Sequence, residues 1–297
     1  MALNLMTWIQ NLEFDLIRSI QYLRNPILDE TMYFITQLGD QLFFIAVAVI
    51  IYWTIDKRFA HKFVFAFMMS AVINTGLKYI FKRIRPFYYM GIESEPKWRT
   101  TGYSFPSGHA QASGVLGYTG LYASKKTKQK WLSYVAWFIM IFVPLSRIYL
   151  AQHFLTDVIV GLVLAYGLAH ISFLLVDKMK DDEHIYTLML APLFIIALFF
   201  YPNHDLAIAA GGFVGFALGY YLEKRYIKFE VKAAWWIQIV KVVFGLAIAF
   251  GLKEGLKLIF LDHVAFDFIR YFLIGVWASV GAPIVFKYGT GYFAKNV

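Results

Sequence analysis

The sequence predicts an all-α protein, a polytopic transmembrane helix bundle of about nine spans with an N-terminal interfacial amphipathic helix. Three observations carry that expectation. Of the 297 residues, 60% are hydrophobic and 16% charged, a balance far more apolar than soluble domains show. The apolar residues gather into runs near the roughly 20 residues that a helix needs to cross a bilayer. Trp and Tyr stand near the ends of several runs, as at Trp53, Trp131 and Trp235, where amphipathic rings anchor at lipid–water interfaces.

The N-terminal segment, 1–30, carries Trp8, Ile9, Leu12, Leu16, Ile20 and Leu23 at helical spacing beside Glu13, Asp15 and Arg18. That pattern suits a helix lying on the membrane surface or packed on the bundle. It lacks the basic start and small-residue cleavage site of a signal peptide. Apolar runs then place spans at about 32–54, 60–81, 108–124, 131–149 and 154–176, and again at 187–202, 205–222, 234–253 and 264–287. The polar run KMKDDEH at 178–184 divides them into a five-span core, 31–177, and a four-span C-terminal addition, 178–297.

In the addition, Gly211, Gly215 and Gly219, and separately Gly251 and Gly255, form small-xxx-small patterns. Such patterns let helix backbones approach closely in lipid, within one chain or between copies in a homo-oligomer. Lys241, Asp267 and Arg270 fall inside expected spans, where ionisable groups are costly and either pair or mark a ligand path. Pairing or snorkelling is the simpler reading.

The chain has no cysteine, so thiolate chemistry and disulfides are excluded. Its net charge of +9 sits in short clusters between apolar runs. Membrane topology and anionic headgroups explain these better than nucleic acid, which is not an expected partner.

Three clusters stand at span ends: Lys78 to Arg85 and Pro86; Pro106, Ser107, Gly108 and His109; and Ser146, Arg147, His153 and Asp157. The alternation of spans puts all three on one side of the membrane. If the helix continues, Lys78 and Arg85 lie two turns apart on one stripe. Arginine offers a planar fork for phosphate oxygens and lysine a point charge. Ser107 and Gly108 stand where a loop enters a helix, whose free N–H groups bind anions. Ser107 also suits a cap, and Gly108 allows close approach to an oxyanion. His109 adds a titratable group there. His153 and Asp157, four residues apart, share a helical face, where a carboxylate holds one ring nitrogen and leaves the other to attack phosphorus. Singly, each of these is common: a headgroup contact, a cap, a helix-stabilising pair.

Together they resemble the type 2 phosphatidic acid phosphatase superfamily, whose pattern K-x6-R-P, P-S-G-H, S-R-x5-H-x3-D is matched at every position. The resemblance covers about residues 30–176. The related vanadium haloperoxidases are soluble, which this hydrophobicity disfavours. A shorter stretch, Thr36 to Asp40 with the run ending Tyr52-Trp53, is similar to the sphingosine-phosphate phosphatase branch, although Asp40 equally suits a helix cap.

The resemblance implies a lipid phosphatase in which His153 is the nucleophile and Asp157 orients it. His109 is then the general acid and later the base, and Lys78, Arg85, Ser107, Gly108 and Arg147 cradle the phosphate. No cofactor or metal is implied, since the cations supply the charge. The expected substrate is a lipid phosphate monoester or diphosphate. The alternatives are a phosphotransferase with the same intermediate and a non-catalytic lipid transporter or scaffold. Lys57, Arg58, Lys62 and the lysines of 125–130 gather on the face opposite the motifs. Basic residues near span ends stay cytoplasmic, which places the chain in the cell membrane with its active site outside.

Overall fold

The computed structural model describes residues 2–259 and 263–294, and among them the regular elements are all helices. Of the segments expected from sequence, Met1, residues 260–262 and residues 295–297 lie outside the described residues. The helices are α1 (Ala2–Gln21), α2 (Pro26–Gln37), α3 (Gln41–Thr54), α4 (Lys57–Phe81), α5 (Gly108–Thr127), α6 (Lys130–Tyr149) and α7 (Leu155–Lys178). They continue as α8 (Glu183–Phe200), α9 (His204–Leu222), α10 (Trp235–Ile259), α11 (Val264–Val276) and α12 (Ala282–Ala294). The last two are joined through a π-helical turn, Trp277–Gly281.

Seven of the described helical segments are long and apolar enough to cross a membrane, or eight if the bent pair α2 and α3 counts as one span. That pair, expected as one run at 32–54, is bent by 46°. Asp40 causes a fresh start there, accepting from the Leu42 N–H at 2.8 Å as a cap. The remaining member of the expected nine is α5. Its 20 residues reach about 30 Å at 1.5 Å per residue, but its composition is too polar to qualify. Ala110 through Gly117 and Thr119 are buried, so this helix meets protein and has no need of an apolar surface.

The chain forms two compact units, one of residues 1–44 with 73–170 and the other of 45–72 with 171–297. In the first, α5 runs along α6 with α1 and α2 against α6. Ile17 and Ile92 join Ala110, Ile148, Ala151, Phe154 and Val158 in one buried cluster. Trp98, Tyr149 and Leu150 form a second, against which Leu28, Met32 and Tyr33 of α2 pack. The long connection after α4 is thereby packed down through Ile92 and Trp98.

In the second unit α9 packs along α11 and α8. The Gly211, Gly215 and Gly219 stripe is used inside the chain: an added Cβ would run into Phe268 O, Phe272 O and Ser279 Oγ. Gly251 and Gly255 meet nothing. Asp267 pairs with Arg270 and with His204, and Lys241 donates to Val231 O at 3.0 Å. These in-span charges are paired or bonded to backbone, as the cost of leaving them alone in lipid requires.

Candidate active site

All eight residues singled out from the sequence fall in the first unit. Lys78 is in the last turn of α4, and its Nζ donates to Tyr103 O at 2.7 Å. The helix stops at Phe81, so Arg85 does not share its stripe. Lys82 takes a left-handed φ of 47° and Arg85 is extended, with Pro86 opening a 3-10 turn. The residue before a proline is disfavoured in a helix, which fixes this exit. Arg85 nevertheless turns inward and is 3% exposed. Its guanidinium donates to Gly102 O, Gln152 O and Thr101 O at 2.9, 3.1 and 2.8 Å and lies 2.9 Å from His153 Nε2.

Ser107 caps α5 as expected, its hydroxyl accepting from Ala110 N–H, and its own N–H donates to Asp157 O at 3.0 Å. Gly161 on α7 makes this possible, because a Cβ there would stand 2.8 Å from Ser107 O. Gly108 faces open space and is exposed. His109 follows, half-buried, with the α2–α3 corner close against it: a Cβ on Gly39 would lie 3.0 Å from His109 O. From the same corner Thr36 accepts from Arg147 Nη1 at 3.0 Å, while Nη2 donates to Thr100 Oγ1 at 3.3 Å. Arg147 Nε is buried without a partner among the described residues. An orphaned buried donor is costly and suits an anion.

His153 occupies the turn between α6 and α7, and is 1% exposed. Ala151, with φ at 55°, bends the chain so that Gln152 N–H and His153 N–H both reach back to Arg147 O. The expected contact of Asp157 with the ring is indirect. His153 Nδ1 is 3.6 Å from Asp157 Oδ2, beyond hydrogen-bond range, because Asp157 is occupied otherwise. Its Oδ2 accepts from Phe154 N–H at 2.9 Å, the reach-back of a capping box. Its Oδ1 accepts from Arg83 at 2.7 Å.

Ser104 fills the gap, with its Oγ 2.5 Å from Asp157 Oδ2 and 3.3 Å from His153 Nδ1. A hydroxyl has one proton. Given to the carboxylate, it leaves Ser104 to accept from Nδ1–H, so the ring's lone pair sits on Nε2, beside Arg85. Burial first, then the charges of Arg85, Arg147 and Lys78, pushes the His153 pKa well down, keeping the imidazole neutral. A neutral histidine with its lone pair aimed into a cationic pocket is arranged to attack an electrophilic, anionic group.

Sequence reasoning did not single out Ser104, Thr36 or Thr100 as site residues, nor Arg83 as Asp157's partner. Ser104, two residues before Pro106, was the most accessible signal. Gln152 ties the loop down by accepting from Thr100 N–H and donating to Ser94 Oγ, and nothing in its spacing announced this. Among the described residues, no group of three or more His, Asp or Glu is placed to hold a metal ion.

The PAP2 superfamily profile matches residues 59–181, which include all eight residues, and the transmembrane extension of PAP2 superfamily phosphatases matches 207–290. An undecaprenyl-diphosphatase of Sulfolobus acidocaldarius is 29% identical over 166 residues, 55% of this chain and 79% of that protein. Phosphatidylglycerophosphatase B of Bacillus subtilis is 29% identical over 185 residues, 58% of this chain and 85% of that protein. The crystal structure of a transmembrane PAP2 type phosphatidylglycerolphosphate phosphatase from Bacillus subtilis aligns at 25% identity and a TM-score of 0.49, covering 58% of this chain and 88% of that one.

Proposed function

The chain belongs to the PAP2 superfamily, and from that premise we propose that it is an integral membrane hydrolase releasing phosphate from a lipid phosphate monoester or diphosphate. The names of two relatives, a diphosphatase and a phosphatidylglycerophosphatase, support both substrate classes. The observation that carries the chemistry is the placement of His153, with Nε2 beside Arg85 and Nδ1 held through Ser104 to Asp157.

In the proposed reaction the phosphoryl group displaces the contact between Arg85 and His153 Nε2, its oxygens held by Lys78, Arg85, Arg147, the Ser107 hydroxyl and the N–H groups around Gly108. His153 Nε2 attacks phosphorus. The bond to the leaving oxygen breaks, and His109 protonates that oxygen. Ser104 and Asp157 stabilise the charge that develops on the ring. Water then attacks the phosphohistidine, His109 takes its proton, and inorganic phosphate leaves. Three cations supply the charge stabilisation, so the reaction needs no metal.

The membrane arrangement is part of the same reading. Nine spans include α5, and α1 lies at the interface, with Trp8 and Leu12 exposed on it. The motifs face outward from the cell membrane, with the functional core at 31–177. The matched extension serves the C-terminal half in a capacity other than the chemistry. Purified protein is to be assayed for phosphate release across a panel of lipid monophosphates and diphosphates, with and without acceptor alcohols. Release into water is expected. Transfer to the alcohol in preference to water supports the phosphotransferase, and lipid binding with no release from any substrate supports a scaffold.

A further inference from the structure

We propose that Glu13, on the N-terminal helix α1, is a positioning residue for catalysis, acting through Arg83 on the carboxylate that orients the nucleophile; this rests on the phosphohistidine reading above. Arg83 spans two carboxylates. Its Nη2 donates to Glu13 Oε2 at 2.5 Å and its Nη1 to Asp157 Oδ1 at 2.7 Å, while its plane lies over the Phe154 ring. The other oxygen of Glu13 accepts from Thr156 N–H at 2.8 Å and Thr156 Oγ1 at 2.7 Å. Glu13 therefore grips the first turn of α7 directly at Thr156 and, through Arg83, at Asp157.

Docking α1 does not require this. Ile17, fully buried, with Phe14 and Ile20, already seats the helix in an apolar cluster. A carboxylate at 4% exposure on the same face costs desolvation that an apolar residue avoids. What the carboxylate supplies is charge balance. Arg83 alone would neutralise Asp157, whereas the Glu13–Arg83–Asp157 set carries one net negative charge. That charge faces Ser104 and the ring, where positive charge develops as Nε2 bonds to phosphorus. It also fixes the fork of Arg83, since two bidentate-capable partners leave the guanidinium one orientation.

The test is a coupling measurement on the full-length protein in detergent, with a short-chain lipid phosphate as substrate. Glu13→Gln keeps the shape and removes the charge. It is expected to lower kcat about tenfold, which corresponds to about 1.4 kcal/mol of lost stabilisation of the developing positive charge, with KM unchanged. In Asp157→Asn protein, where there is no charge left to orient, the same change is expected to alter kcat less than about twofold, since residues acting as a unit are non-additive. A merely structural Glu13 would instead lower the melting temperature in both backgrounds and leave kcat alone or reduce it equally, and that result overturns the proposal. Should Glu13→Gln fail to accumulate, Glu13→Asp, which falls one methylene short of Arg83 and Thr156, is compared in the same two backgrounds: kcat lowered only where Asp157 is present supports the proposal, and equal effects in both overturn it. Wild-type kcat in Glu13→Gln beside an inactive His153→Ala rejects the Glu13 role and leaves the phosphohistidine standing. An active His153→Ala rejects both.

Discussion

Ser104→Ala removes one oxygen atom from a fully buried position and separates Asp157 from His153, the proposed nucleophile. Two hydrogen bonds go: the 2.5 Å donation to Asp157 Oδ2 and the 3.3 Å acceptance from His153 Nδ1. The second is long and weak. The first is charge-assisted, and a bond of that kind contributes about 1.5–3 kcal/mol. If that stabilisation is expressed when the ring becomes cationic, kcat falls by about 10- to 150-fold at 1.36 kcal/mol per decade. KM should stay within about twofold, because Ser104 is placed against the ring and the carboxylate and not among the proposed phosphate donors. Alanine introduces no bulk, and the Ser104 N–H keeps its bond to Arg83 O, so the protein should fold with a stability loss of about 1–2 kcal/mol. Steady-state phosphate release from a short-chain substrate, alongside a melting curve, reads both quantities. A well-folded Ser104→Ala protein with kcat within twofold of wild type would refute the bridge.

Four further outcomes are expected. His153 is held neutral by burial and by the surrounding cations, so the acid limb of kcat/KM, which reports the free enzyme, should fall well below pH 6.5; a limb at 6.5 would show a solvated ring. That depressed value also means the unfolded chain binds the extra proton first, so stability should decline as pH drops below about 6.5. Gly161→Ala forces a methyl to within 2.8 Å of Ser107 O, and since backbone must move, both stability and kcat should fall, by about 1–3 kcal/mol in stability; a neutral substitution, judged by melting temperature, would mean the loop is loosely held. In intact cells an impermeant thiol reagent should label Tyr89→Cys and spare Ser124→Cys, the chain having no cysteine of its own; the reverse pattern places the motifs in the cytoplasm.

The parts of the fold written in apolar run length were legible in the sequence, and those set by enclosure were less so. Helices α6 and α7 fall almost where the hydropathy of 131–149 and 154–176 put them. The bend at Gly39 was only half legible: Asp40 was readable as a cap, but Thr36 to Asp40 interrupts an apolar run by only a few residues, and the close approach of Gly39 to His109 is tertiary. The Gly211 stripe was readable as a close-packing surface, but its partners, Phe268 and Phe272 of α11 and Ser279 of the turn that follows, are set by the tertiary fold. The candidate site divides the same way. Motif spacing brought Lys78, Arg85, Ser107, His109, Arg147, His153 and Asp157 to attention, and they fall in one compact unit. It misjudged how two of them connect. Arg85 reaches inward from a loop, and Asp157 touches the ring through Ser104, because its own oxygens are taken by Phe154 N–H and Arg83. Periodicity describes neighbours on one helix, whereas Glu13, Arg83, Ser104 and Thr36 act across dozens of residues.

The phosphohistidine is the central claim, and rapid acid-free quenching during turnover of a lipid substrate labelled in its phosphate tests it most directly. The account predicts a base-stable, acid-labile label on the peptide containing His153, formed and lost at rates that match turnover, and absent from folded, inactive His153→Ala protein. Turnover with no label on that peptide, or undiminished turnover by His153→Ala, would contradict it.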